Sequence, residues 1–499
     1  MEIESISPFL AMAIPLVGTA LIVATRKTPN LREGCSLGAA ALQFLIVLTM
    51  TPAVLAGNTL HFTLFPFLPQ VSIAFRVDAL GLLLALTASF LWILTVVYSI
   101  GYMRNLGAHA QTRFYACFAI TLAATMGIAF SANLLTMYIF YELLTFITYP
   151  LVTHDGTEEA FAAGRRYIFY HLGTSIIFML PAIILTYALS GTFDFQPGGV
   201  FPAGASATVL VIVYFMFLAG IAKAAIMPLH AWLPNAMVAP VPVSALLHAV
   251  AVVNVGVFCI LRVIFDVYGV ELMQQLNLGT VTAIIASFTI LMASFYALML
   301  DSLKALLAYS TISQLSYMVL GVALLSPAGM TGGVIHIANH AFAKITLFFC
   351  AGSIYLASRK LNVSEMGGIG RLMPWTMAAF AIGSLSIVGI PPTAGFITKW
   401  YLAIGTIEAG KLPFFFVLLI STLLSAVYYL KVIRKVFFGT PQEEESHRGA
   451  DQPPKGEQGH PIKEVSLFVV IPLLVSAALS VVLGIYPNFL LELVRLVLR

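Results

Sequence analysis

Three lysines and one glutamate stand inside stretches that belong in lipid: Glu142 in MYIFYELLTFITY, Lys223 in FMFLAGIAKAAIM, Lys344 in HAFAKITLFF and Lys399 in GFITKWYLAIG. A charged group at the bilayer centre costs about 2.5–3.5 kcal/mol on insertion scales. Four such groups burden a protein that does not use them, and the use that suits them is movement of charge or protons. A desolvated ammonium exchanges its proton more readily than a solvated one, and a nearby carboxylate holds it charged. Lys223 with Glu142 as partner would make a switch, keeping its proton when paired and releasing it when the pair breaks. The plainer alternatives are a structural buried ion pair, a weak source of stability, and a lysine that snorkels to the interface.

His336, His340 and Lys344 follow at i, i+4 and i+8, on one face of a helix. The rise between neighbours is about 6 Å, which one or two waters can bridge. A single helical histidine is usually a core residue, but three aligned titratable groups are harder to dismiss. His248, in SALLHAVAVV, could link Lys223 to this row, whereas His230 and Trp232 in PLHAWLP are expected to shape a break in the chain. H-x-x-x-H is also zinc spacing, but no third ligand accompanies it and Lys344 would repel a cation, so no metal is expected. Asp301 and Lys304 read as an interfacial pair, with proton entry as the second reading.

Long apolar elements must hold these groups. The chain is 60% hydrophobic and 9% charged with a mean hydropathy of +0.97, against about 25% charged in an ordinary soluble domain. It reads as an all-α integral membrane protein. The first apolar run lacks a basic leader and a cleavage site, so it is expected to be a crossing and not a signal peptide. Cys35, Cys117, Cys259 and Cys350 stand singly, without C-x-x-C or iron–sulfur spacing, so neither a cofactor nor chain-borne redox chemistry is expected. With about 20 residues per span, fourteen crossings fit between 6–25 and 465–488. Placing both termini outside puts seventeen of the 25 Lys and Arg on the inner face and five outside, with the three membrane lysines left over; that is the positive-inside pattern.

Crossings seven (207–240) and twelve (374–408) are too long and are interrupted, the first around Pro228 and Pro234, the second at Gly389-Ile-Pro391-Pro392. Irregular backbone at membrane depth is tolerated where it is buried in protein or lines a wet cavity. Each broken segment carries one lysine, and five crossings separate them. Opposed broken helices in two five-helix units suggest an inverted repeat, with ion sites at the breaks. The division expected is a three-helix segment over 1–113, repeats over 114–278 and 279–438, and a loop plus last crossing over 439–499. The polar stretch 436–464 reads as a flexible inner loop.

PLHAWLPNAM, PVPVSALLHA, DSLKALLAYSTISQ and GIPPTAGFITKW resemble the antiporter-like subunits of respiratory complex I and of Mrp-type cation/proton antiporters. The resemblance runs from about residue 80 to the end. It implies a fourteen-helix fold with two inverted five-helix units and discontinuous helices 7 and 12. It also implies a hydrated proton axis running from Glu142 through Lys223, His248 and the His340 and Lys344 region to Lys399. The complex I middle subunit usually carries glutamate where Lys399 stands, another branch lacks the HxxxHAxxK row kept here, and the largest subunits extend into a long lateral helix. IFYELLTFITYPLVTHDGTEEA resembles most the D subunit of Mrp-type antiporters. The implied function is a proton-translocating subunit of a multisubunit Na+ or K+/H+ antiporter in a bacterial inner membrane, a transporter part and not an enzyme, with other membrane subunits as partners. A proton-pumping subunit of a complex I-like oxidoreductase or membrane-bound hydrogenase is the alternative. No nucleic-acid partner is expected.

Overall fold

A computed structural model describes residues 1–68, 71–439 and 462–498. Most of the expected polar loop, residues 440–461, lies outside that set. Among the described residues twelve helices are long and apolar enough to cross a membrane, and two shorter apolar ones, Ala207–Gly220 and Pro374–Val388, stand where the interrupted crossings are expected. Together with Ala394–Glu408, which follows the break of the twelfth expected crossing, they are in chain order α1 (Ser7–Ala24), α2 (Pro29–Leu55), α3 (Ala79–Leu106), α4 (Gln111–Ala129), α5 (Leu134–Val152), α6 (Glu158–Ser190), α7 (Ala207–Gly220), α8 (Val241–Tyr268), α9 (Leu278–Met299), α10 (Leu303–Ala323), α11 (Pro327–Ser358), α12 (Pro374–Val388), α13 (Ala394–Glu408), α14 (Leu412–Phe438) and α15 (Leu467–Ile485). A further helix, α16 (Asn488–Val497), follows the last apolar one and was not expected.

Side chains close the helix starts: Asn133 accepts from the Thr136 N–H at 2.8 Å, and Asp78 from the Gly81 N–H at 2.9 Å. Such caps satisfy amides that lipid could not. Glu464, at the edge of the undescribed loop, accepts from the backbone N–H and hydroxyl of Thr376 at 3.0 and 2.7 Å, docking the chain on the start of α12. The hub is α11, which packs against α3, α8, α10, α12, α13 and α15. It is buried along nearly its whole length, so a polar residue on it faces protein and not lipid.

Three features depart from the expectation. A small sheet orders β1 (Glu2–Glu4), β2 (Thr59–Leu68) and β3 (Val71–Val77), with β1 parallel and β3 antiparallel to β2. It lies at the end opposite the arginine-rich face, and its strands, the longest being TLHFTLFPFL, are too short to register against a 20-residue span. Second, the break in crossing seven begins before the prolines. Helix α7 stops at Gly220, a 3₁₀ turn covers Ala222–Ala224, and Ala225 takes positive φ (53°), so Lys223 sits in the break itself. Third, α6 and α8 carry π turns, at Phe169–Gly173 and Ser175–Met179 and at Leu246–Val250 and Val263–Tyr268. Arg262, which the expected topology counts among its five outside Lys and Arg, is a buried residue of α8 that bridges Asp78 at 2.5 Å and Asp266 at 2.9 Å.

Candidate functional site: a row of buried lysines and histidines

Lys223 is fully buried, and its ammonium is held by neutral oxygens. Nζ donates to the Tyr141 carbonyl at 3.0 Å and to Thr145 Oγ1 at 2.5 Å, and lies 3.3 Å from the centre of the Tyr141 ring. All three groups belong to α5, the helix of Glu142. The expected contact pair with Glu142 is not formed: among the described residues no Lys223–Glu142 bridge occurs, and neither Glu142 oxygen has a hydrogen-bond partner. The reason is helical: one residue on from Tyr141 the side chain is turned by about 100°, so the carboxylate looks toward α6 while the lysine docks on the face of Tyr141 and Thr145. The two remain electrostatic neighbours. Trp232 fixes the break, its indole N–H donating to the Ala222 carbonyl at 3.0 Å, as its place in PLHAWLP suggested. Opposite, α8 presents Gly256, whose absent Cβ makes room for the Lys223–Ala224 backbone.

His248 lies in the π turn of α8, fully buried, its ring 4.7 Å from that of Phe348 and neither nitrogen partnered. His336, His340 and Lys344 share a face of α11 as expected, the two imidazoles 5.8 Å apart. His336 is held at both nitrogens, by Thr398 Oγ1 at 3.2 Å and Gln314 Oε1 at 3.0 Å. His340 has no partner on either nitrogen and lies within electrostatic reach of His336, Lys344 and His248. Lys344 donates to the Leu307 carbonyl at 3.2 Å and the Tyr429 hydroxyl at 3.3 Å. Lys399 donates to the Val388 carbonyl, at the end of α12, at 2.8 Å and to Thr422 Oγ1 at 2.9 Å. Its stem passes over Gly389, which takes φ +83° and would bring a Cβ within 2.6 Å of Lys399 Cδ.

The two break lysines are thus treated alike: each is held by one carbonyl and one threonine hydroxyl, with a glycine beneath. What sequence reading missed is the set of neutral partners, Tyr141, Thr145, Gln314, Thr398, Thr422 and Tyr429. One signal was available on α14, where Ser421, Thr422, Ser425, Tyr428 and Tyr429 recur at helical spacing. There Tyr429 bonds Ser310 at 3.0 Å, and Ser310 bonds Tyr428 at 2.9 Å, extending polar contact from Lys344 toward Lys399. Asp301 and Lys304 do not pair: Asp301 accepts from Ser364, and Lys304 donates to the Ala239 carbonyl at 2.7 Å.

Two cavities flank the row. One of about 730 Å³ opens at the arginine-rich end, with Asp155, Glu159, Arg166, Asn235 and Lys304 in its wall. One of about 410 Å³ lies at the opposite end, among Gln274, Asn277, Ser326, Glu408 and Lys411. Between them Lys223, His248, His336, His340 and Lys344 are buried and Glu142 and Lys399 half-buried, and among the described residues His248, His340 and Glu142 find no hydrogen-bond partner, an arrangement found where ordered water or a functional demand takes up the missing bonds.

Residues 131–425 match the family model described as NADH:quinone oxidoreductase/Mrp antiporter, TM. NADH-quinone oxidoreductase subunit N of Desulforudis audaxviator is 31% identical, the match covering 96% of this chain and 95% of the relative. The A/B subunit of a probable K(+)/H(+) antiporter of Rhizobium meliloti is 30% identical over 81% of this chain, but the match spans only 41% of that longer protein. In three dimensions the chain superposes on a chain of the Mrp complex from Dietzia sp. DQ12-45-1b with a TM-score of 0.86 at 23% identity, covering 99% of this chain and 97% of the other. It superposes on a chain of the membrane-bound sulfane sulfur reductase, an archaeal respiratory membrane complex, with a TM-score of 0.84 at 24% identity and the same coverage. The segment that matches the family model contains every lysine and histidine of the row, and the chain belongs to the NADH:quinone oxidoreductase/Mrp antiporter transmembrane family.

Proposed function

We propose that this chain is the proton-translocating subunit of a multisubunit Na+ or K+/H+ antiporter in a bacterial inner membrane. The observation that carries the reading is the buried row itself. Among the described residues Lys223, Lys344 and Lys399 are held by neutral oxygens, and His248 and His340, together with the carboxylate of Glu142, have no hydrogen-bond partner. Protons would load Lys223, with Glu142 setting its charge state, then pass by His248, His340 and Lys344 to Lys399, with His336 beside the last step. The arginine-rich face is assigned to the cytoplasm, both termini to the outside, and the chain to fourteen crossings arranged as two inverted five-helix units, 114–278 and 279–438. Coupling to the cation falls to partner membrane subunits.

A second reading is favoured by one observation: the subunit N relative matches end to end. In that case the same row would pump protons for a redox-driven complex. The native complex in inverted vesicles separates the two. Collapse of a separately imposed proton gradient by Na+ or K+, lost in Lys223→Ala, establishes antiport. Proton uptake only while the complex oxidises an electron donor moves the chain to the redox pumps. Unchanged proton movement in assembled Lys223→Ala or Glu142→Ala complexes excludes the relay in either setting.

A further inference from the structure

Helix α6 carries a second polar row. Tyr167, His171 and Ser175 stand at i, i+4 and i+8, and all three are buried. At its foot, Arg166 lines the cavity at the arginine-rich end and donates to Asn235 Oδ1 at 2.8 Å. The Tyr167 hydroxyl meets Thr148 Oγ1 of α5 at 2.6 Å, and Thr148 in turn donates to the carbonyl of Thr145, the residue that holds Lys223, at 3.2 Å. The His171 ring lies 4.3 Å from Tyr167 and 4.2 Å from Trp232, whose indole is bonded to the residue before Lys223. At the top, Ser175 lies beside Glu142. The row therefore runs from an open cavity, past the support of Lys223, to the carboxylate.

Two observations single out His171. Among the described residues neither ring nitrogen has a hydrogen-bond partner, although His171 is fully buried. It also sits in the π turn Phe169–Gly173, a widened turn that occurs frequently at functional sites. The ring is not needed to satisfy a neighbour, and a phenyl group would fill the same space against Tyr167 and Trp232.

We infer that the α6 row is the inlet by which protons from the arginine-rich face reach Lys223, with His171 carrying them over the last step. His171 takes a proton from water on the cavity side at one ring nitrogen. It releases the proton on its other nitrogen, through one water, to the neutral Lys223 amine. The imidazole ends neutral in the other tautomer and the amine ends as ammonium; rotation of the ring restores the starting state. This inlet rests on the proton-relay reading proposed above.

The test uses the whole complex with Cys35, Cys117, Cys259 and Cys350 replaced by serine. His171→Cys is exposed to a charged, membrane-impermeant thiosulfonate from either face of oriented vesicles. Labelling from the arginine-rich face at least tenfold faster than from the opposite face, and than at the buried control Val213→Cys, is expected. His171→Gln, which keeps a polar side chain but cannot be protonated, is expected to slow proton movement at least tenfold in an assembled complex. Absence of labelling, labelling from the opposite face, or full transport by His171→Gln overturns the inlet. If His171→Cys does not assemble, Ser175→Cys, one turn on, carries the same test. Lys223→Ala separates the failures: loss of transport there with full activity in His171→Gln removes the inlet alone, whereas full transport in both removes the relay itself.

Discussion

Gly256→Ala adds one methyl group to α8, against the backbone of Lys223, and is expected to reduce proton movement about a hundredfold. The added Cβ would lie 2.8 Å from Lys223 Cβ and closer still to the Ala224 nitrogen and Lys223 carbonyl carbon. Ordinary carbon contacts lie at about 3.5–4.0 Å, so the turn must retreat from α8 by roughly 1 Å. Lys223 is docked on α5 with Nζ at 2.5 Å from Thr145 and 3.0 Å from Tyr141, so a retreat of that size forces the ammonium out of register with both. A misplacement of about 1 Å commonly costs about 10²-fold in a transfer step, whereas overpacking costs about 1–3 kcal/mol of stability. The assay is gradient-driven proton movement in vesicles, normalised to assembled complex measured by size-exclusion chromatography. Gly256→Ser should be at least as impaired. Wild-type transport by an assembled Gly256→Ala complex would refute the claim that the docking of Lys223 limits the relay.

Tyr429→Phe removes one of the two oxygens that hold Lys344; hydrogen bonds to charged groups are worth about 1.5–3 kcal/mol, so a relay slower by about ten- to a hundredfold is expected, and an unchanged rate would exclude α14 from it. Arg262→Ala leaves Asp78 and Asp266 buried without their partner; a loss of about 3–5 kcal/mol is expected, read as a lower melting temperature in detergent. His154, in the loop after α5, is held below the ordinary histidine range by burial, then by His109 and Arg113, against Asp155. A depressed value means the neutral ring stabilises the fold above a pH of about 6.5 and that this contribution is lost as pH falls. Thermal stability measured from about pH 8 to about pH 5 should decline, and should decline less in His154→Asn.

The helical architecture was legible because lipid imposes its own ruler: apolar runs of span length and the one-sided distribution of arginine and lysine are decided residue by residue. The lysines, the glutamate and the histidine row were legible for the converse reason, that polarity within such runs is costly. The partners were not. Thr145 and Thr422 look like ordinary helical threonines, and only packing reveals that each accepts a hydrogen bond from a lysine ammonium. The Glu142–Lys223 pair was expected from charge alone, but the side chain that meets Lys223 is decided by helix rotation, which places Tyr141 and not Glu142 against it. The position of the break depended on Ile221 and Ala225 leaving helical geometry, Ala225 standing three residues before the nearest proline, Pro228. His171 escaped notice because a lone histidine on an apolar helix carries no spacing signal; the π turn that sets it apart exists only in three dimensions.

The two cavities lie at opposite ends of the helices. The larger opens among α3, α6 and the start of α10 at the arginine-rich end, the smaller among α9, α11 and the end of α13 at the other. At the smaller cavity's end, backbone bonds tie β3 to the turn before α5 and that turn to Phe195: the Arg76 N–H donates to the Phe130 carbonyl, the Ala132 N–H to that of Ala74, and the Phe195 N–H to that of Ala132. In the proposed relay a proton that enters by one cavity and leaves by the other must also travel sideways, along the row from Lys223 to Lys399.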